Sequence, residues 1–121
     1  MDNPRLPYLA EKAHKLPLRP GVYIMKNRAG DIIYIGKAKA LKNRVTSYFR
    51  GDHLPKVAAM VSHVNDFNVI IAETEFEALV LENSLIKRHK PHYNILLKDD
   101  KAYPYIRVDL KDEFPRIELA R

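Results

Sequence analysis

The sequence predicts an α/β fold of the α+β type, in which helices flank a small central three-stranded and mainly antiparallel sheet. Two short apolar strands flank a glycine-containing turn from Asn27 to Asp31, which is the pattern of a β-hairpin. A β-branched run from Phe67 to Ala72 predicts a third strand, and its continuous apolar character predicts that it is well buried. Segments with helical apolar spacing lie before, between and after these strands. We expect one domain over residues 1–97.

The hairpin joins Gly21-Val22-Tyr23 to Tyr34-Ile35-Gly36. If its loop is the four residues 27–30, Tyr23 falls directly opposite Tyr34 on one face of the sheet. Such a pair is either ordinary strand packing or a place where two phenol hydroxyls converge. A phenol has a pKa near 10, so chemistry at neutral pH requires a cation or a metal nearby, and Lys37 follows the second strand directly.

Four helices are predicted from apolar spacing. The first ends before Pro17, the second runs from Lys37 to Phe49, and the third repeats the pattern over 54–64. On the second helix, one flank is predicted to carry Lys37, Arg44 and Tyr48, which could face one phosphate together. Alternatively, Lys37 and Arg44 are solvated charges and Tyr48 is part of the half-buried core. The fourth begins at a capping box formed by Thr74 and Glu77 and continues for about fifteen residues, ending before Pro91.

Glu82 is predicted to project from the middle of the apolar face of the fourth helix. Because burying an unpaired charge costs several kcal/mol, this carboxylate must be protonated, paired with a basic side chain or bound to a cation. A structural ion pair remains one alternative. The other is magnesium, which accepts one or two protein carboxylates and completes its coordination with water and phosphate oxygens.

The 121 residues include 21 Lys and Arg against 15 Asp and Glu, and this net charge of +6 favours a polyanionic partner. A solvated helix face is the alternative explanation of the basic clusters, which comprise Lys37, Lys39, Lys42 and Arg44, then Lys87, Arg88 and Lys90, and more loosely Lys98 and Lys101. Aromatic residues interleave with the first cluster, which suits phosphate contact and base stacking better than a membrane surface.

Composition also excludes several classes of site. With no cysteine, the chain has no disulfide, no thiolate–metal site and no cysteine nucleophile. His89 and His92 straddle Pro91 and cannot share one continuous helix face, which argues against a histidine metal site. We find neither a membrane-length apolar run nor a signal-peptide pattern and expect a cytoplasmic, monomeric domain. The segment 98–121 is a charged link followed by strand-like pieces, either an edge hairpin or the start of a further region.

Several motifs together resemble the GIY-YIG endonuclease family, most closely its UvrC branch. The resemblance spans residues 16–94 and rests on Gly21-Val22-Tyr23, Tyr34-Ile35-Gly36-Lys37-Ala38, Leu41–Val45, Ser47-Tyr48-Phe49, Glu77–Asn83 and Ile86–Asn94. Val22 stands where the family name has isoleucine, a usual variant of this branch. His92 stands where we would expect lysine, which would remove one phosphate contact and no catalytic role.

The resemblance implies an active site. Tyr34 would be the general base, Arg44 would hold the scissile phosphate, and Glu82 would bind one divalent cation, Mg²⁺ or Mn²⁺. Tyr23 would hydrogen-bond near the metal water and Lys37 would lower the pKa of the phenol. Further supporting positions are Gly36, Tyr48 and Asn94.

The same resemblance implies one-metal hydrolysis of a phosphodiester bond in double-stranded DNA, as the 3′-side incision domain of a nucleotide excision repair subunit. Its protein partner would be UvrB, bound through regions outside this chain. A stand-alone GIY-YIG nuclease of another branch and a shorter UvrC homologue remain alternatives. A catalytically idle nucleic-acid-binding module is the remaining one.

Overall fold

The computed structural model describes residues 3–98. Of the segment 98–121, expected to be a charged link and tail, Lys98 is instead the last residue of a helix, and the rest lies outside the described residues. The chain folds, in order, into α1 (Leu6–His14), β1 (Gly21–Lys26), β2 (Ile32–Ala38), α2 (Leu41–Tyr48), α3 (Pro55–His63), β3 (Asp66–Ile71), α4 (Glu75–His89) and α5 (His92–Lys98). The three strands form one antiparallel sheet in the order β2-β1-β3. The predicted fold class is confirmed.

The hairpin register differs from the prediction. Tyr23 pairs with Gly36, and Tyr34 pairs with Met25 instead of lying directly opposite Tyr23. The loop is one residue longer than expected, because the Asn27 amide donates to the Asp31 carbonyl at 2.9 Å and Lys26 pairs with Ile32. Since Met25 already pairs with Tyr34, the intervening Ile33 forms a β-bulge.

The two faces of the sheet build two cores. On one face, α1, α2 and α3 contribute to a core that includes Tyr23, Tyr34, Leu41 and Phe67. On the other face, α4 covers a smaller core that includes Val22, Ile35, Ala72 and Ala78. The bulge places Ile33 and Tyr34 in the first core together, while their neighbour Ile35 points into the second. A strand with strict alternation would have separated Ile33 from Tyr34.

Two predictions about these elements are wrong. Lys37 is not on a helix, because β2 continues through the pairs formed by Lys37 with Val22 and by Ala38 with Gly21, and α2 begins only at Leu41. The third strand is not well buried, because β3 lies at the edge of the sheet and β1 lies at its centre. Phe67 is buried, whereas Ile71 remains 47% exposed.

The predicted N-cap of α4 at Thr74 is confirmed, whereas the Glu77 carboxylate binds the amide of the preceding residue and not that of Thr74. The Thr74 hydroxyl accepts from the Glu77 amide at 3.1 Å, and the Glu77 carboxylate accepts in turn from the Glu73 amide at 2.6 Å. The helix runs for 15 residues to His89, and the left-handed backbone of the following Lys90 (φ 46°) turns the chain before Pro91. Helix α5, which follows, was not predicted.

Long-range polar contacts fasten the first residues to the rest of the domain. The buried Asn3 side chain donates to the carbonyls of Val61 and Val64 at 2.8 Å, at the end of α3. Lys12 of α1 forms an ion pair with Asp66 at 2.7 Å and donates to the Phe67 carbonyl. No helix within residues 3–98 is long and apolar enough to cross a membrane.

Candidate active site

Three tyrosines meet on the first-core face of the sheet. The ring centroids of Tyr23 and Tyr34 lie 6.1 Å apart, and Tyr48 of α2 lies 5.5 Å from the first and 6.3 Å from the second. The hydroxyls of Tyr23 and Tyr48 share a hydrogen bond of 2.7 Å. Tyr23 and Tyr34 thus share a face as predicted, on neighbouring rather than directly opposite positions. The Tyr23–Tyr48 bond was missed, because no local pattern links residues on different elements.

Gly36 makes room for the Tyr23 ring. Gly36 pairs with Tyr23 across the hairpin, and a Cβ at Gly36 would contact the Tyr23 hydroxyl and Cζ and lie 2.9 Å from its Cε1. A Cβ at Gly21 would contact the Ile70 carbonyl and lie 2.7 Å from a Leu41 methyl. The glycines of both strand motifs therefore have a steric reason, which is close approach of a neighbouring chain or ring.

Burial keeps Tyr23 and Tyr34 protonated. Burial raises the pKa of Tyr23 well above its ordinary value, and the neighbouring Tyr48 and Tyr34 raise it further. The pKa of Tyr34 is also raised, first by burial, then by Tyr48 and by the Glu82 carboxylate. In both cases Arg44 is the group that lowers the pKa. Lys37 lies on β2 with its side chain exposed, and the expectation that it lowers the pKa of a phenol stays a prediction.

Arg44 is the cation of the tyrosine cluster. Its guanidinium carbon lies 5.0 Å from the centre of the Tyr48 ring, one helical turn along α2. Burial opposes its charge, but the phenols of Tyr23 and Tyr48 outweigh that effect and raise the pKa of Arg44. Arg44 is charged at every relevant pH and can present a fork of donors to a phosphate.

Glu82 reaches the same place from the other face of the sheet. It is half-buried on α4, and its Oε2 accepts a hydrogen bond of 3.0 Å from the Lys37 amide. Because the Glu82 carboxylate raises the pKa of Tyr34, the two groups interact electrostatically. The prediction that Glu82 turns toward the protein is confirmed. The described residues 3–98 contain no group of three or more His, Cys, Asp or Glu side chains that could hold a metal by themselves.

Asn94 of α5 holds the strand that carries Tyr34. Its Oδ1 accepts from the Ile35 amide and its Nδ2 donates to the Ile35 carbonyl, both at 2.8 Å. The side chain thereby takes the place of a neighbouring strand along this edge of β2. Asn94 is a positioning residue in this arrangement, since its amide is engaged with the backbone beside Tyr34.

The predicted basic residues divide into two sets. Three of them line an open cleft of about 570 Å³ between the end of β2 and α2, whose lining is Lys37, Ala38, Lys39, Ala40, Asn43, Arg44 and Ser47. Lys42, Lys87, Arg88 and Lys90 are not part of this lining. Asn43 and Ser47 were missed at the sequence level, although the spacing of three residues between Arg44 and Ser47 places these two on one helix face.

Comparison with known proteins gives the family. A sequence profile described as the UvrC-like GIY-YIG domain matches residues 19–95. The chain belongs to this family. UvrABC system protein C of Moorella thermoacetica is 58% identical over 113 residues, which cover 93% of this chain and 18% of that protein. The corresponding protein of Thermoanaerobacter sp. is 57% identical over 115 residues, which cover 93% of this chain and 19% of its own length.

Solved structures of UvrC domains share this fold. The GIY-YIG N-terminal endonuclease domain of UvrC from Thermotoga maritima, bound to its catalytic magnesium, is 41% identical with a TM-score of 0.65; the match covers 71% of this chain and 94% of that domain. A variant of that domain with an asparagine changed to alanine is 41% identical, again with a TM-score of 0.65, over 71% of this chain and 93% of the variant. The chain spans about one fifth of the length of the full UvrC proteins that it matches.

Proposed function

We propose that this chain is a metal-dependent DNA endonuclease domain that hydrolyses a phosphodiester bond. In the full repair subunit it would make the 3′-side incision of nucleotide excision repair. The observation that carries the proposal is the electrostatic coupling of a phenol, a guanidinium and a carboxylate at one edge of the sheet, where Tyr34 interacts with both Arg44 and Glu82. These are the groups that the reaction requires to move a proton, hold a phosphate and bind a hard cation.

The donor chemistry of the site suits one Mg²⁺ or Mn²⁺ ion. Glu82 supplies a single half-buried carboxylate, and magnesium is commonly bound by one or two protein carboxylates together with water and substrate phosphate oxygens. Once bound, the ion would supply positive charge to the phosphoryl oxygens and to an attacking water. The related Thermotoga maritima domain is described as bound to a catalytic divalent cation, magnesium.

Tyr34 is the proposed general base. Its pKa is raised in the protein, so it is a neutral phenol at pH 7 and must lose its proton to act. Arg44 favours that loss, whereas the Glu82 carboxylate opposes it. A cation at Glu82 would remove the opposing effect. We therefore expect the nicking rate to depend on both the metal and alkaline pH.

Arg44 is proposed to hold the scissile phosphate, and water attacks in line without a covalent intermediate. Tyr23 and Tyr48 orient each other and Arg44, Gly36 leaves space for the Tyr23 ring, and Lys37 adds positive charge beside the cleft. Asn94 fixes the strand of Tyr34.

The proposed partner is double-stranded DNA, damaged when the whole subunit acts. Backbone phosphates would be bound by the basic residues Lys37, Lys39, Lys42, Arg44, Lys87, Arg88 and Lys90. We further propose that UvrB recruits the subunit through regions outside this chain, and that the domain works as a monomer in the cytoplasm. Cleavage of a lesion-containing duplex with and without UvrB would test the recruitment and map the incision.

The decisive experiment compares Glu82→Gln with Glu75→Gln, an exposed glutamate in the first turn of the same helix. Nicking of supercoiled DNA in Mg²⁺ or Mn²⁺ should be lost in Glu82→Gln and retained in Glu75→Gln. Calorimetry should show that Mg²⁺ binding is lost in the first variant alone. Tyr34→Phe should slow nicking by about 10² to 10⁴, as is typical when a general base is removed. Undiminished nicking by Glu82→Gln would favour a different metal ligand, and no nicking by the wild-type chain would favour the idle binding module.

A further inference from the structure

The cleft beside α2 extends away from the proposed reaction centre. It shares Lys37 and Arg44 with that centre, but neither Tyr34 nor Glu82 lines it. Its volume of about 570 Å³ lies within the range of ligand-binding pockets and exceeds the space of one bound water or ion. The cleft therefore begins where the scissile phosphate would be held and has room for a further group beyond it.

The lining of this space selects for a phosphate group. Lys37, Lys39 and Arg44 supply three positive charges, and no carboxylate is part of the lining. Asn43 is exposed there, and its side chain makes no hydrogen bond to the rest of residues 3–98, so its amide is available as a donor. The other side chains that line the cleft belong to Ala38, Ala40 and Ser47.

Ser47 differs from Asn43 because its hydroxyl is already engaged. It donates to the Arg44 carbonyl at 2.6 Å. With alanines and a committed serine as its remaining side chains, the lining has no aromatic platform on which a base could stack. The chemistry suits contact with the sugar–phosphate backbone and not base stacking.

We infer that Lys39 and Asn43 form a second phosphate subsite, which binds the backbone phosphate adjacent to the scissile one on the same strand. This inference rests on the proposed function, since Arg44 must hold the scissile phosphate. Arg44 borders both spaces and directly follows Asn43 in α2, so the next phosphate along the strand is the anionic group that reaches the cleft. Two consecutive phosphates held at fixed points would align the strand for in-line attack.

The charge contact can be tested by the salt dependence of DNA binding, with Lys39→Ala compared with Lys15→Ala. Lys15 is an exposed lysine at the end of α1, so the control removes the same charge from a different surface. Loss of one phosphate contact lowers the slope of log K against log salt by about 0.9. Between 50 and 200 mM salt, Lys39→Ala should therefore lose roughly 3.5-fold less affinity than the wild type. Equal slopes for the wild type and Lys39→Ala would overturn the inference.

The position of the subsite can be tested with a short duplex whose nick site has been mapped with the wild-type chain. A neutral methylphosphonate replaces the phosphate on the 5′ or the 3′ side of that site. At one of the two positions it should raise KM for the wild type and for Asn68→Ala, an exposed asparagine on β3. In the double variant Lys39→Ala/Asn43→Ala the same modification should have no further effect, because the contact is already absent.

Two failures can be told apart. If the methylphosphonate raises KM equally in the wild type and the double variant at both positions, the second subsite is refuted while nicking stands. If the wild-type chain binds DNA with the predicted Lys39-dependent slope but does not nick it in Mg²⁺, the endonuclease proposal fails and the phosphate-binding site in the cleft is retained.

Discussion

Gly36→Ala should destabilise the domain through the Tyr23 ring. The added methyl would lie 2.9 Å from Cε1 of Tyr23 and closer still to its hydroxyl, so one of the two must move. Tyr23 is 1% exposed and cannot swing into solvent. Overpacking of a core costs about 1–3 kcal/mol, and loss of the Tyr23–Tyr48 hydrogen bond adds about 1 kcal/mol. Because alanine has less conformational entropy than glycine in the unfolded chain, the substitution also stabilises the fold by about 0.4–1 kcal/mol. We expect a net loss of roughly 1–4 kcal/mol in the free energy of unfolding.

Urea unfolding followed by circular dichroism measures this loss, and a second background isolates its cause. In Tyr23→Leu the ring is absent, so Gly36→Ala should cost at least about 1 kcal/mol less there than in the wild type. The nicking rate should fall in Gly36→Ala and stay low in the double variant, which lacks the Tyr23 hydroxyl. An equal cost of Gly36→Ala in both backgrounds would refute the steric reasoning, since the clash would then not involve Tyr23.

Three further outcomes are expected. Thr46→Val should stabilise the domain by about 1 kcal/mol in urea unfolding, because the buried Thr46 hydroxyl finds no hydrogen-bond partner within residues 3–98; a loss of stability would contradict this. Burial opposes ionisation of Asp66, but its bonds to Lys12 and the Phe67 amide outweigh that effect and lower its pKa. The contribution of the ionised Asp66 to stability is therefore complete above the unfolded pKa of about 3.9 and is lost as pH falls through the folded pKa. The free energy of unfolding measured against pH should show this loss of stability in acid, and Lys12→Met should reduce it. Identical pH profiles for the wild type and Lys12→Met would exclude a contribution from the Lys12–Asp66 pair. Asn94→Asp places an oxygen against the Ile35 carbonyl and should lower the free energy of unfolding by about 1–3 kcal/mol, with faster hydrogen exchange of the Ile35 amide. Hydrogen exchange at the wild-type rate would show that the contact is dispensable.

The sequence predicted the elements with strong local signals. The Thr74–Glu77 capping box located the start of α4, and Pro91 located its end. Both are short-range effects, in which neighbours along the chain satisfy or remove backbone hydrogen bonds. By contrast, the helix predicted from Lys37 was wrong at its start, because pairing with Val22 and Gly21 across the hairpin extends β2 through a segment whose apolar spacing also suits a helix.

Hairpin register could not be read from the sequence for a related reason. Residues 32–35 are all apolar or aromatic, so no alternation marks where the bulge falls. The bulge at Ile33 goes with the loop hydrogen bond between Asn27 and Asp31. It also allows Ile33 to pack in the larger core and Ile35 in the smaller one. The third strand was called well buried for the same reason, since apolar content does not distinguish an edge strand from a central one.

The site depends on β2 lying at an edge of the sheet. An edge strand leaves alternate backbone groups without a neighbouring strand, and proteins commonly cover them. Here the two successive outward-facing positions of β2 are covered by side chains of the site, Ile35 by Asn94 and Lys37 by Glu82. Because Tyr34 lies on this strand, the contacts that cover the edge also fix the phenol relative to the carboxylate. Glu82 lies on the α4 face and Arg44 on the α2 face, so this edge is where groups from both cores meet, and in the proposed site they would lie around one phosphate. If β2 were a central strand, both of its sides would be paired with other strands, and the Glu82 side chain could not reach the edge beside Tyr34.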